Sequence, residues 1–280
     1  MEGDRARLIN IYKNVREDIT RGFYINQNSD IVKFEHTREL LKNSARLKMP
    51  NFIEPDLRVY EDFPNTKIYV ENIDFLDKAL GYNSEYTALL NPASNYRAGG
   101  GVRGGSRALE EIICRRSNLL SSLELFTYDS DPGNYKPTLD TYEAVWSPYV
   151  NVYRNRGYET LEKPVFVNII SAAAINHPEL TEDGLYTKDS ETTMMRKIRV
   201  VLRIAIDNGI TTLILPAWGC GAYKNPAYEV ARCFDEVFEE PEFKGAFEEV
   251  CFAILDDHNA HHEFNPDGNF KPFFDRFGGK

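Results

Sequence analysis

The chain has 280 residues, of which 42% are hydrophobic and 27% charged, a composition typical of globular proteins and unlike that of disordered, collagen-like or coiled-coil chains. Its 33 Lys and Arg against 43 Asp and Glu give a formal net charge of −10. This charge argues against nucleic acid as the main partner, because phosphate binding depends on clustered cations. Every apolar run is too short to span a bilayer, and no apolar signal core follows Met1. We therefore expect a cytoplasmic monomer, or a nuclear one in a eukaryote, that binds no membrane.

The metal-ligating residue types show no convincing site. The cysteines lack CxxC spacing, so the sequence predicts reduced thiols and neither a disulfide scaffold nor a zinc site. Three histidines near the C-terminus lie beside Gly, Pro and Asn, and we interpret them as part of a polar loop. These residues are Cys114, Cys220, Cys233, Cys251, His258, His261 and His262. We expect neither a metal nor a cofactor.

The N-terminal region differs in pattern from the rest of the chain. Apolar residues at helical spacing predict a helix over residues 5–22. A short segment at 31–34 and a helix over 37–47 follow, and three prolines make 49–64 irregular. We expect residues 1–65 to form a mainly helical accessory segment that packs on a core domain formed by residues 66–280.

From residue 66 onward, short β-branched runs alternate with longer helical periods, which is typical of an α/β layered domain. Strands are predicted at 67–71, 86–91, 164–170, 211–215 and 249–255. Helices are predicted at 75–80, 107–123, 192–208 and 227–239.

A first glycine turn, residues 91–106, runs from a predicted strand into a predicted helix. Five glycines lie among residues 99 to 105, and they let a ligand approach the backbone closely. Three consecutive glycines that lead directly into a helix are a costly way to make a mere surface connection. We therefore interpret this turn as a ligand-binding loop.

A second glycine turn, residues 216–226, follows the predicted strand at 211–215. It ends in Asn225 and Pro226, which we interpret as an N-cap followed by proline at the first helical position. Its N–H groups would suit a phosphate or diphosphate, although it matches neither a Walker loop nor GxGxxG spacing. Both turns follow strands at their carboxyl ends, so we expect them to face one cleft.

Two adjacent glutamates follow the first glycine turn. Ser106 is predicted to cap a helix that begins at Arg107, which places Glu110 and Glu111 near its start. On the helical wheel Glu110 flanks the buried stripe, whereas Glu111 points away from it toward the turn. Adjacent carboxylates cannot flank a bond from opposite sides, so we expect one acid/base and one orienting group. The alternative is two helix-start acids, with Glu111 paired to Arg115.

The string Gly99-Gly100-Gly101, seven residues and then Leu109-Glu110-Glu111 closely resembles the signature of poly(ADP-ribose) glycohydrolases, particularly the microbial-type branch of that macrodomain family. Similar strings at 219–226, 170–176 and 254–257 extend the resemblance over roughly residues 66–258. It implies a three-layer α/β/α macrodomain-like fold with a mixed sheet. It also implies a glycohydrolase that cleaves the O-glycosidic ribose–ribose bond of poly(ADP-ribose).

The resemblance also implies roles for individual residues. Glu111 matches the general acid/base, and Glu110 matches the acidic residue that holds the distal ribose. Asp74 resembles the aspartate that reads the adenine amino group. Tyr223 resembles a loop aromatic near the distal ribose, and Asn95 a ribose-contacting asparagine. The remaining ligand-binding residues that it implies are Gly99, Gly100, Gly101, Gly219, Cys220, Gly221 and Ala222.

One departure from the family pattern is Leu109, where the family commonly has glutamine. We place Leu109 on the buried stripe, so the change should remove a capping-box contact and leave the chemistry intact. The expected ligands are ADP-ribose, poly(ADP-ribose) or ADP-ribosylated proteins, and activity should survive a chelator. Two alternatives stay open: a hydrolase that removes mono-ADP-ribose from protein side chains, including arginine, and a non-catalytic ADP-ribose-binding macrodomain.

Overall fold

A seven-stranded mixed sheet lies at the centre of the molecule. The computed structural model describes residues 2–48, 62–82, 85–126, 143–256 and 262–278. The strands are β1 (Phe23–Ile25), β2 (Ile31–Lys33), β3 (Ala45–Lys48), β4 (Lys67–Glu71), β5 (Thr87–Pro92), β6 (Glu143–Arg154), β7 (Thr160–Ala172), β8 (Thr212–Leu215) and β9 (Glu249–Ala253). The helices are α1 (Glu2–Arg21), α2 (Thr37–Asn43), α3 (Phe75–Ala79), α4 (Leu109–Arg116), α5 (Leu119–Leu123), α6 (Lys188–Asp207), α7 (Ala227–Phe238) and α8 (Phe270–Phe277).

The strand order in the central sheet is β3-β6-β7-β5-β8-β9-β4, and β1 and β2 form a separate hairpin. The pairs β3–β6 and β6–β7 are antiparallel, whereas β7, β5, β8, β9 and β4 run parallel to one another. Parallel strands are covered by helices on both faces, which explains their nearly continuous apolar sequences.

Two hydrophobic cores fill the space between the sheet and the helices. Alternate residues of each strand point to opposite faces: Ala88 and Leu90 pack with α6, α7 and α8, and Leu89 packs with α2, α3, α4 and α5. The predicted three-layer α/β/α fold with a mixed sheet is therefore confirmed.

The long strand β6 was not predicted from the sequence. It contains Pro148, and a proline argues against a central strand because it donates no ladder hydrogen bond. The pairing register between β6 and β7 shifts between Ser147 and Val150, and Tyr149 has a φ of 55°. The proline thus lies in a β-bulge, where the missing donor is tolerated.

The helix predicted over 37–47 ends early. The hydroxyl of Ser44 donates to the carbonyl of Leu40 over 2.6 Å, and the backbone at Ser44 is extended. The following residues form β3, which pairs with β6. The segment predicted to be accessory therefore supplies an edge strand of the main sheet, and the domain division at residue 65 stays a prediction.

The helix predicted over 107–123 is two helices, α4 and α5. Ser117 interrupts it, because its hydroxyl donates to the Ile113 carbonyl over 2.8 Å and its backbone forms a bridge with Val152. The other predicted elements lie within a few residues of the observed ones, while β1 and α8 were not predicted. Most of the irregular stretch 49–64 lies outside the described residues.

None of the described helices combines the length and the apolar character needed to cross a bilayer. All four cysteines are free and buried.

Candidate active site

A cavity of about 500 Å³ opens where β4, β5, β8 and β9 end. Its walls come from both glycine turns, the start of α4 and the residues just after β9. The parallel strands point their carboxyl ends to this edge of the sheet, which is where α/β sheets bind ligands. The two turns therefore face one cleft, as the sequence indicated.

The two glutamates hold the first glycine turn through its backbone. The N–H groups of Ser94 and Gly99 donate to Glu110 Oε2 and Oε1 over 2.7 and 3.1 Å. The N–H of Gly101 donates to Glu111 Oε1 over 2.7 Å. The fourth oxygen, Glu111 Oε2, is buried and has no hydrogen-bond partner among the described residues. Three of the four carboxylate oxygens therefore hold the turn by accepting its N–H groups, and Glu111 Oε2 does not.

Glycine is required at position 100 for steric reasons. A Cβ atom there would lie 2.9 Å from Glu110 Oε2 and closer still to Glu111 Oε1. The φ of Gly100 is also +54°, in the left-handed region that other residues rarely adopt. The backbone of the turn thus lies directly against the two carboxylates.

Both glutamates are withdrawn from solvent, with exposed fractions of 3% for Glu110 and 6% for Glu111. Burial raises the pKa of Glu110 to about 8; the Ser94 N–H opposes this rise and the nearby Glu111 carboxylate adds to it. Near neutral pH, burial therefore favours a proton on this glutamate pair. A proton on the pair avoids two adjacent negative charges in a buried place.

The start of α4 differs from the prediction. The helix begins at Leu109, and Ala108 occupies the N-cap position without a side-chain cap, so the predicted cap at Ser106 is wrong. The guanidinium of Arg115 donates to the Ser106 carbonyl, and it does so instead of pairing with Glu111 as the alternative reading supposed. Leu109 is only partly buried and lines the cavity.

Two buried asparagines hold the carbonyl groups of the second glycine turn. Asn225 Nδ2 donates to Gly219 and Tyr223 over 3.1 and 3.3 Å. Asn265 Nδ2 donates to the carbonyls of Cys220 and Asn225 over 3.0 and 3.1 Å. The asparagine amide groups therefore hold the turn by donating hydrogen bonds to its carbonyl oxygens.

The start of α7 also differs from the prediction. Pro226, and not Asn225, is the N-cap, and the helix begins at Ala227. The N–H of Ala227 is capped from a distant part of the chain, by Asn265 Oδ1 over 2.8 Å. The side chain of Asn225 instead donates to carbonyl groups within the second glycine turn.

Several N–H groups of the second glycine turn, unlike its carbonyls, have no hydrogen-bond partner among the residues that the structure describes. Within the described part of the chain, those of Gly219, Gly221, Ala222 and Tyr223 donate to no protein acceptor. A Cβ atom at Gly221 would meet nothing within 4 Å. The turn thus presents several backbone donors on the open side of a helix start, an arrangement suited to an anion.

Tyr223 joins the two turns. Its hydroxyl donates to Asn95 Oδ1 over 2.7 Å and accepts from the Asn95 N–H over 2.8 Å. Burial raises the pKa of Tyr223, so the phenol stays protonated and can donate. Tyr223 lines the cavity, and Asn95 lies behind it.

Asp74 lies at another part of the cavity wall, next to Phe75. It caps the start of α3 by accepting from the Asp77 N–H over 3.0 Å, and it forms an ion pair of 2.6 Å with Arg116. Both contacts use Oδ1.

Most of the predicted site residues line the cavity: Asp74, Gly100, Gly101, Glu110, Glu111, Gly219, Gly221, Ala222 and Tyr223. Three others do not, and they are Asn95, Gly99 and Cys220. Gly99 donates to Glu110, Asn95 bonds to Tyr223, and Cys220 is fully buried. Their roles as ligand contacts stay predictions.

Several wall residues were not predicted. Ser94, Tyr96 and Arg97 lie within the first glycine turn, and the resemblance gave no reason to single them out. Arg107 also lines the cavity and pairs with Asp4 of α1.

The described residues contain no group of three or more His, Cys, Asp or Glu side chains that could hold a metal ion. His258 and His261 lie outside the described residues. The ring of His262 stacks on Phe264 with centroids 5.0 Å apart.

A family model described as the catalytic domain of microbial-type PARG, poly(ADP-ribose) glycohydrolase, matches residues 13–155. The chain belongs to this family. The match begins within α1, at residue 13, so the family resemblance begins well before residue 66, where the motifs alone placed it. Membership makes the chain an enzyme of the poly(ADP-ribose) glycohydrolase class.

Solved PARG structures share the whole architecture. The poly(ADP-ribose) glycohydrolase of Thermomonospora curvata, bound to the inhibitor ADP-HPD, is 25% identical; the alignment covers 98% of this chain and 100% of that one, with a TM-score of 0.79. The enzyme of Deinococcus radiodurans, in complex with ADP-ribose, is 30% identical; the alignment covers 88% and 98%, with a TM-score of 0.69. No curated protein sequence matches the chain.

Proposed function

We propose that the chain hydrolyses the ribose–ribose bond of poly(ADP-ribose) and that Glu111 Oε2 is the atom that exchanges the proton. The support is the hydrogen bonding of the glutamate pair. Glu110 accepts backbone N–H donors on both oxygens, whereas Glu111 accepts one on Oε1 only. A proton on any of the three occupied oxygens would compete with the donor already bound there, and a proton on Oε2 would not.

The proton count fits this assignment. Because the pKa of Glu110 is raised to about 8, the pair holds one proton near neutral pH. Neighbouring carboxyls titrate as a unit, so hydrogen bonding decides where that proton resides. Glu111 Oε2 is the oxygen of the pair at which this proton competes with no backbone donor among the described residues.

The bond cleavage requires one proton donor that becomes a base. As the glycosidic C–O bond breaks, Oε2–H protonates the leaving oxygen, while positive charge develops at the anomeric carbon. The resulting carboxylate then takes a proton from the water that attacks this carbon. Protons balance, since Oε2 starts and ends each cycle protonated.

The rest of the cavity suits the remaining parts of ADP-ribose, the ligand of the Deinococcus radiodurans enzyme. The distal ribose would lie over Gly100, beside Glu110 and Tyr223. The diphosphate would accept from the unpaired N–H groups of the second glycine turn. The adenine would lie near Phe75, with its amino group donating to Asp74 Oδ2.

Two cationic side chains lie in the cavity wall, although the net charge of the chain is −10. Arg97 and Arg107 both line it. Cationic side chains at the mouth of a cleft raise the local concentration of an anionic ligand, which suits a polymer of diphosphates.

The deciding experiment compares the unmodified protein with Glu111→Gln. We expect release of ADP-ribose from poly(ADP-ribose), and a loss of about 1,000-fold in kcat in the variant, because an amide cannot exchange the proton. ADP-ribose should bind the variant within about tenfold of the parent. The same assay with serine-linked and arginine-linked mono-ADP-ribosylated proteins tests the alternative substrates.

Retained turnover in Glu111→Gln would contradict the mechanism. Release from a mono-ADP-ribosylated protein without release from the polymer would assign the chain to the alternative hydrolase. Tight binding of ADP-ribose with no release from any substrate would identify a reader.

A further inference from the structure

Arg116, in the last turn of α4, has an exposed fraction of 0%. Its Nη1 and Nη2 lie 2.6 Å from Asp74 Oδ1 and 2.6 Å from Asp77 Oδ1. Its Nε donates to the Arg154 carbonyl over 3.0 Å. Each guanidinium nitrogen therefore has an acceptor, and the planar group is held in one orientation.

This arginine and the glutamate pair are carried by the same short helix. Glu111 lies near the start of α4 and Arg116 at its end, about 7.5 Å apart along the axis at the usual rise per residue. Through Arg116 the helix reaches Asp74, and Asp74 lines the same cavity as Glu111. One rigid element thus connects two separate parts of the wall.

We propose that Arg116 is a positioning residue for adenine recognition: it fixes the carboxylate of Asp74 so that Oδ2 meets the adenine amino group when the distal ribose reaches Glu111. This inference rests on the proposed function. Arg116 and the Asp77 N–H both take Oδ1, which restricts rotation of the carboxylate. Oδ2 can then only accept, and only a base with a donor at that position suits it.

This arrangement predicts discrimination between two bases that differ at one position. Adenine carries an amino donor, whereas hypoxanthine carries a carbonyl acceptor there. A fixed carboxylate accepts from the first and repels the second. The measured quantity is the ratio of the dissociation constants of inosine-diphosphate-ribose and ADP-ribose, which we expect to be about tenfold or more in the unmodified protein.

Arg116→Lys keeps the positive charge but replaces the planar fork with a single ammonium. One ammonium cannot hold Asp74, Asp77 and the Arg154 carbonyl in the observed geometry, so Asp74 gains freedom. We expect the ratio to fall below about threefold. Both ligands bind the same folded molecules, so a partial loss of stability changes both dissociation constants alike and leaves the ratio unaffected.

Asp77→Asn is the matched control. Asp77 contacts the same guanidinium from the same helix α3, its side chain is 41% exposed, and it does not line the cavity. The ion pair between Arg116 and Asp74 remains in this variant, so the ratio should stay within about twofold of the parent value. If Arg116→Lys does not fold, Arg116→Gln combined with Asp77→Asn removes one charge of each sign, and it should lower the ratio in the same way.

Asp74→Asn separates the two proposals. Its amide can donate to the hypoxanthine carbonyl, so the preference should shift toward the inosine ligand. If Asp74→Asn leaves the ratio unchanged, the adenine assignment of Asp74 fails. If Asp74→Asn changes the ratio but the Arg116 variants do not, the positioning role of Arg116 is overturned and the proposed function stands.

Discussion

The two glycine turns of the cavity are built in opposite ways. In the first turn, carboxylates of the protein accept the N–H groups of Ser94, Gly99 and Gly101. In the second turn, asparagine side chains donate to the carbonyls, and several N–H groups, including that of Gly221, have no acceptor among the described residues. The first turn thus donates its N–H groups to the protein itself, whereas the second turn has N–H groups that could donate to the proposed diphosphate.

Glycine consequently has a different task in each turn. At Gly100 a side chain would collide with the glutamates of the protein, whereas at Gly221 it would enter open space. The first glycine allows close approach within the protein, and the second keeps room beside the backbone. Similar glycine-rich sequences therefore do different structural work: one turn packs against the glutamate pair, and the other leaves open space beside its backbone.

Among variants of the two glycine turns, the largest effect is expected for Gly100→Ala. The new Cβ would displace both carboxylates, and the left-handed backbone would be strained as well. We expect kcat/KM to fall about 100-fold, since a displacement of the acid by about 1 Å is costly. Gly104→Ala is the control in the same turn, because its nearest neighbour is an Arg5 side-chain nitrogen at 3.6 Å. Equal activity of the two variants would contradict the role given to Gly100.

A second pair of variants tests the second turn. A Cβ at Gly219 would lie 2.5 Å from the Ala174 Cβ at a φ of +76°, so Gly219→Ala should cost about 1–3 kcal/mol of folding stability. Gly221→Ala should leave the melting temperature unchanged and weaken ADP-ribose binding about tenfold, because its methyl group enters the space of the ligand. Thermal unfolding measures the loss of stability expected for Gly219→Ala, and calorimetric titration measures the loss of binding expected for Gly221→Ala. Unchanged binding in Gly221→Ala would show that the diphosphate lies elsewhere.

A smaller effect is expected for Tyr223→Phe, which breaks the contact between the two turns. The variant loses two hydrogen bonds with Asn95, each worth about 1 kcal/mol. We expect the dissociation constant of ADP-ribose to rise about fivefold. Tyr228→Phe is the control, since its hydroxyl contacts only surface carboxylates and a lysine among the described residues. If both variants bind equally well, the contact between the turns does not support binding.

A further prediction concerns the pH dependence of stability. The pKa of Glu110 rises from an ordinary 4.5 to about 8 on folding, so between these values the folded protein holds a proton that the unfolded chain has released. Stability from this group is therefore complete below about pH 4.5, declines as the pH rises, and is level above about pH 8. Subtracting the melting curve of Glu110→Gln from that of the parent should show this decline. A difference that grows with pH would contradict it.

The parts of the fold that follow regular patterns could be predicted from the sequence. The strand at 67–71 was predicted with its observed bounds, and β8 and α7 to within a residue. The elements that were missed depend on distant partners. β6 accommodates Pro148 by a bulge against β7, and β3 exists only as the neighbour of β6.

The candidate site shows the same division. The residue types and their order identified the turns and the glutamate pair, because runs of glycine and acids at a helix start can be recognised from the local sequence alone. The hydrogen bonds that distinguish Glu110 from Glu111 come from Ser94, Gly99 and Gly101, and their directions depend on the folded turn. Asn265 lies 40 residues after Asn225, and no local pattern connects it with the second turn.

The position of Asn265 bears on how the protein can be shortened or fused. Its side chain contacts the carbonyls of Cys220 and Asn225 and the first N–H of α7, and Asn269 lines the cavity itself. The segment at 262–278 therefore supports the second glycine turn from within the protein. We expect a truncation of this segment to disturb the cavity even though it lies far from both glycine turns in the sequence, so engineering at this end should preserve residues 262–278.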